Sequence, residues 1–281
     1  MKPNRTQPVI LGVTLLTLGF LASQVVLAQS STGYAGFETP GFTAEVFAPG
    51  LISTDAYEFA VTFTPDMAEL YLTRRLDPGP NQIVMSRLVG GQLQEPVPAS
   101  FDGPGHYEPS VAPDGKTVYF GEGISIMSCT RQGAEWSMPA LLPESINGGF
   151  AMSMCADGEG HLYFTGQNGL VVSRRQNGVL TQPVSLGPQF ERTAGGSAHG
   201  YIAPDGSYVV FDAQGRSDVK GRADLYVSFR DADRGWTTPK NLITLNTTGN
   251  EMCPSVSPDG RFLFFCRDGD IWWVDAAILH Q

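Results

Sequence analysis

The sequence predicts an all-β fold, a five-bladed β-propeller of four-stranded blades. Three observations predict it. One phrase recurs five times, its copies are spaced as propeller blades are, and further strand-like segments follow each copy. The copies are FTPDMAELYLT, VAPDGKTVYFG, CADGEGHLYFT, IAPDGSYVVFD and VSPDGRFLFFC. Their aspartates, Asp66, Asp114, Asp157, Asp205 and Asp259, stand 48, 43, 48 and 54 residues apart, within or just above the roughly 40–50 residues of a blade.

Each phrase reads as a hairpin. Pro-Asp-Gly supplies a fixed φ, a side chain that closes its own turn and a residue free to take positive φ. Alternating β-branched and aromatic residues flank it. The first turn has Met67 in place of Gly. The third has Ala156 in place of Pro and reads as carrying one extra residue around Gly160.

A third strand follows each hairpin: QIVMSRL, ISIMSCT, LVVSRRQ, DLYVSFR and DIWWVDA, with a recurring Ser at 86, 128, 173 and 228. A fourth opens after a Gly turn in the first four repeats. The fifth repeat has none. The segment Gly41–Phe47 has the register of a fourth strand and precedes the first hairpin. It is expected to complete the last blade, closing the ring and removing its exposed edges. A six-bladed ring is the alternative. Phe42, Trp136 and Trp236 take equivalent fourth-strand places, where aromatic packing between blades is expected.

The N-terminus is expected to be a signal peptide over 1–28. Lys2 and Arg5 precede an apolar stretch from Val9 to Leu21, and Val26-Leu27-Ala28 ends in a small residue. An uncleaved anchor is the alternative reading. Residues 29–39 then form a short extension and 40–281 a single propeller domain. Cleavage leaves 16 basic residues against 28 acidic ones, a net charge near −12. That balance disfavours nucleic acid and anionic lipid as partners. The expected product is a periplasmic or secreted monomer without stable membrane insertion, whose partner is an envelope protein or glycan.

The phrases EMCPSVSPDGRFLFF from Glu251 and YEPSVAPDGKTVYF from Tyr107 resemble the Pro-Asp-Gly repeats of WD-repeat-like propellers, the group that includes the TolB C-terminal domain. The resemblance covers about residues 40 to 281. It implies the fold. It implies no single activity, because the repeat occurs in periplasmic binding propellers, peptidase side domains and some polysaccharide lyases. The chain departs from TolB-like propellers in having five repeats where six are common.

Function in a propeller concentrates at a mouth of the channel. Aligned on the turn, the repeats bring Glu58, His106 and Glu251 to one level, Glu108 and His199 to the next, and Tyr201 below them. Strand parity puts these on one face, at the mouth away from the Pro-Asp-Gly turns. Arg74, Arg216, Arg222 and Arg267 lie on the loops facing them. His106, Glu108 and His199 are the candidate ligands if a divalent metal is bound; no cofactor is required by any motif. The leading reading is a non-catalytic propeller that binds a protein or glycan at this mouth. The second is a metal-assisted lyase or hydrolase on an acidic glycan, which resembles propeller-type oligogalacturonate lyases, with the arginines holding the anionic substrate. Structural hydrogen bonding between blades is the third account of the same residues. Cys253 and Cys266 are placed symmetrically about the fifth turn and are a candidate disulfide.

Overall fold

In a computed structural model of the chain, described over residues 33–281 apart from 232 and 234, five antiparallel sheets follow one another along the chain. The proposed signal peptide lies outside these residues. No described helix is long and apolar enough to cross a membrane.

Blade 1 runs Tyr57–Phe63, Glu69–Arg75 and Asn81–Val89, with outer pieces at Gln92–Leu93 and Val97–Pro98. Blades 2 and 4 repeat this plan from His106–Val111 and Ala198–Ile202. Blade 3, from Ala151–Ala156, has its outer strand at Val184–Ser185, and the tight hairpin before it, Arg175–Gln176 with Val179–Leu180, is separated from the third strand by a break at Arg174. Blade 5 runs Glu251–Val256, Phe262–Arg267 and Asp270–Asp275, and Glu45–Val46 completes it. Glu45 pairs with Trp273 and Val46 with Trp272. The ring therefore has five blades and is closed by the N-terminal strand, as the split fifth repeat requires.

The core lies between blades. Alternating apolar residues of each second and third strand pack on the next sheet, as Phe47, Phe264 and Trp273 do at the closure, all at most 2% exposed. Tyr34 joins this cluster and meets Phe262 edge to face, with ring centroids 4.7 Å apart. The recurring Ser of the third strand pins the outer strand. Ser86, Ser173 and Ser228 donate to the carbonyls of Gln94, Thr181 and Thr237. In blade 2 Cys129, opposite Val118, holds that place and Ser128 is one residue off it. Trp136 and Trp236 pack between blades beneath Arg131 and Arg230, whereas Phe42 is 53% exposed and does not.

The third turn is shorter than its sequence suggests. In the other four blades the amide of the residue that opens the turn donates to the carbonyl five positions on, as Ala112 does to Thr117. In blade 3 Asp157 bonds to His161, four positions on. Asp157 is thus the equivalent of Ala112, not of Asp114. Its carboxylate caps the short turn by accepting from the amides of Glu159 and His161. The blade 3 residues that face the channel are consequently two positions later than a Pro-Asp-Gly alignment puts them.

Candidate functional site

Every inner strand carries a bulge at the same place. In blade 1 Phe59 pairs with Thr73 and Thr62 with Tyr71, so three steps on one strand match two on the other. The same shift occurs in blades 2, 3, 4 and 5. The extra residues, Ala60, Glu108, Ser153, His199 and Cys253, all adopt positive φ, between 46° and 56°. None is glycine, so each conformation costs on the order of 1 kcal/mol or more and must be held by its surroundings. The holding contact is visible in three blades. The bulge amide donates to a side chain on the second strand of the preceding blade: Glu108 to Thr73, His199 to Thr165 and Cys253 to Asp212.

The bulges break strand parity, and this divides the predicted residues. Glu58 and Glu251, two positions before a bulge, turn away from the channel and are fully buried. Glu58 accepts from Arg74 Nε at 2.9 Å and from the amide and hydroxyl of Thr54. Arg74 also donates to the carbonyls of Leu51 and Ile52. Glu251 repeats the device with Arg267 at 2.7 Å, Thr247 and the Leu245 carbonyl. His106 packs 4.8 Å from the Phe120 ring, with Nε2 3.6 Å from Glu122. Arg216 donates to the Gln189 carbonyl and lies over Phe211 and Tyr226. Arg222 is exposed on its loop. The expected ring of arginines around a mouth is therefore not formed: three of the four are consumed in closing loops.

Glu108, His199 and Tyr201 do converge. The bulge residues form the inner end of a cavity of about 270 Å³ that reaches the turn prolines Pro65, Pro113, Pro204 and Pro258. It thus lies toward the Pro-Asp-Gly turns, the end opposite to the one strand parity predicts. On the far side of the ring Tyr57, Phe59, Tyr107 and Met252 pack with Cys253 and Cys266.

The ring is polar and closely connected. Ser153 donates to Glu108 Oε2 at 2.5 Å, and Glu108 Oε1 is 3.4 Å from His199 Nε2. His199 Nδ1 lies 2.7 Å from Asp212 Oδ1, the oxygen that also receives the Cys253 amide. Burial disfavours a charged imidazole, but Asp212, Cys253 and Glu108 outweigh it and hold His199 well above its ordinary pKa. Burial pushes the Cys253 thiol up to about 12 despite the nearby imidazole. Burial likewise holds Tyr201 well above its ordinary pKa, so it stays a neutral hydroxyl. Of the candidate metal ligands, Glu108 and His199 meet here and His106 does not; Cys253 joins them.

Cys253 and Cys266 are free, buried thiols. The bulge sets Met252, not Cys253, opposite Cys266, and turns Cys253 into the cavity. The symmetric count about the turn fails because it assumes an unbroken ladder. Asp212 and Ser153 were legible as residue types but not as partners. Asp212 becomes significant only through the bulges of its own and the next blade, which bring His199 and the Cys253 amide to it, and Ser153 only through the short third turn.

No family model matches the chain, and no curated protein does. Among solved structures, the catalytic domain of the Coprinopsis cinerea GH62 α-L-arabinofuranosidase superposes with TM-score 0.53 at 14% identity over 84% of this chain and 97% of that one. A GH62 hydrolase in complex with xylotriose gives 0.51 at 10% identity, over 84% and 98%. TolB from Acinetobacter baumannii gives 0.49 at 17% identity, over 78% of this chain and 54% of that chain, so the chain spans about half the length of that protein. The shared feature is the propeller fold.

Proposed function

We propose that the protein is an exported binding propeller that takes the end of an uncharged glycan into the cavity on the turn side of its channel. The observation that supports this most directly is the make-up of the cavity. Its inner end presents hydrogen-bonding groups from Glu108, Ser153 and His199, and Tyr201 lies along its wall. Its walls carry six prolines, including Pro109 and Pro254, and no Lys or Arg. Apolar rings beside a compact set of donors and acceptors suit a sugar, with C–H faces against the walls and hydroxyls at the ring.

The charge argues against an acidic ligand. Glu108 and Asp212 flank the single His199, and three of the four arginines expected at the mouth, Arg74, Arg216 and Arg267, are engaged elsewhere. The cavity lining holds one carboxylate, Glu108, whereas glycoside hydrolysis ordinarily uses two flanking the bond. Asp212 stands behind His199. This favours binding over hydrolysis.

Saturation-transfer NMR on residues 29–281 with neutral monosaccharides and disaccharides, against galacturonate, tests the reading. Transfer to a neutral sugar, reduced at least tenfold by Glu108→Gln, is expected. Binding of galacturonate alone, or neutral-sugar binding indifferent to Glu108→Gln, would overturn it.

A further inference from the structure

Glu108, His199 and Cys253 come from blades 2, 4 and 5. They bring a carboxylate oxygen, an imidazole nitrogen and a thiol sulfur within 4.8 Å of one another at the channel's centre. We propose that these three side chains form a binding site for one divalent transition-metal ion of the zinc class, with its remaining coordination position facing the cavity. The site shares the ring with the proposed sugar contacts but is argued and tested without any sugar.

The geometry is that of a tetrahedral face. Metal–nitrogen and metal–oxygen bonds of about 2.1 Å at tetrahedral angles set neighbouring donors about 3.4 Å apart. His199 Nε2 and Glu108 Oε1 are 3.4 Å apart. The sulfur needs to move inward by no more than roughly 1 Å to complete the face, since a Zn–S bond is about 2.3 Å.

The outer contacts that orient metal ligands are already in place. His199 Nδ1 is held by Asp212 at 2.7 Å, which leaves Nε2 as the ligating atom. The second oxygen of Glu108 accepts from Ser153. The Cys253 amide is fixed by the same Asp212 oxygen. All three ligands sit on bulges with positive φ, so the backbone distortion that aims them inward is shared by the whole ring.

The donor set also selects the ion. A thiolate and an imidazole favour zinc or cobalt over calcium or magnesium. One carboxylate and one thiolate neutralise a divalent charge in a buried place. Binding displaces the Cys253 thiol proton and the Nε2 proton of His199 into solvent. The ion would join three blades across the channel, linking parts of the chain far apart in sequence.

The test is titration of metal-free protein with Co²⁺ alone, followed by its thiolate-to-cobalt charge-transfer absorption. One equivalent producing that band is expected, with the band lost in Cys253→Ser and kept in Cys266→Ser, the neighbouring buried thiol. Absence of the band in the wild type, or its survival in Cys253→Ser, would overturn the site. A second measurement needs no variant. Saturating Zn²⁺ should slow alkylation of Cys253 at least tenfold, read by peptide mass, with Cys266 as the internal standard; an unchanged rate overturns the proposal. Sugar binding repeated in chelator reports separately on the binding reading, because Glu108 and Ser153 remain available without the ion.

Discussion

Two polar rings lie two residues apart on the same inner strands, and they have opposite characters. The first contains Glu58, His106 and Glu251; the second contains Glu108, Ser153, His199 and Cys253. In the first, each glutamate is fully buried, faces an arginine and accepts from a threonine of the preceding loop. In the second, two carboxylates share one imidazole at the end of a cavity. Residue type does not distinguish them, since both are built from Glu and His. What distinguishes them is where the carboxylates stand: Glu58 and Glu251 are closed off against arginines, whereas Glu108 lines the cavity. The two glutamates of the first ring close loops onto blades, and the second ring lines the cavity proposed above to take a ligand.

The largest expected effect falls on the first ring. Glu251→Ala strands the Arg267 guanidinium in a buried place, and Glu58→Ala does the same to Arg74. Each should cost about 3–5 kcal/mol of unfolding free energy, the usual result of breaking a buried pair, measured by urea denaturation. A loss below about 1 kcal/mol for both would erase the distinction between the rings.

Asp212→Asn should have an intermediate effect. The amide oxygen still accepts the Cys253 amide, but the charge beside His199 is gone. A loss of about 1.5–3 kcal/mol is expected, as for hydrogen bonds to charged groups. A neutral outcome would show that His199 does not depend on this carboxylate.

The contrast between the rings was only partly legible in the sequence. The five blades were legible, because each repeat carries its own turn chemistry and strand pattern. So was the closure, because the fifth repeat lacks the strand that Glu45–Val46 supplies. The bulges were not. Ala60, Glu108, Ser153, His199 and Cys253 have no side-chain type in common, and their positive φ comes from contacts between blades such as Glu108 with Thr73. A reading without the bulges puts Glu58 and Glu108 on one face, aims Glu108 and His199 at the mouth away from the turns rather than into the cavity toward them, and sets Cys253 opposite Cys266. Blade 3 was misread for a local reason: Asp157 resembles a turn aspartate but opens a turn one residue shorter.

The smallest effect should come from the turns at the cavity's outer end. Asp205 accepts from the amide and hydroxyl of Ser207, and these bonds hold its carboxyl below the usual value of 3.8. Its contribution to stability is complete above pH 3.8 and fades as pH falls through the lowered folded-state pKa. Asp205→Asn should therefore lower stability slightly at neutral pH, leave it unchanged at low pH where Asp205 is protonated, and so flatten the acid limb of the profile. A change in sugar binding at neutral pH would mean that the turns contribute to the site.

One comparison tests the central claim most directly: urea unfolding of Glu108→Gln beside Glu251→Gln. The two glutamates are similarly buried, at 6% and 0% exposed, and the substitutions are identical. The account predicts a loss of at most about 1 kcal/mol for Glu108→Gln, within the worth of an ordinary hydrogen bond, and about 3 kcal/mol for Glu251→Gln, which leaves Arg267 unpaired. Equal losses would contradict it, because Glu108 would then be a structural residue like its neighbour in the first ring.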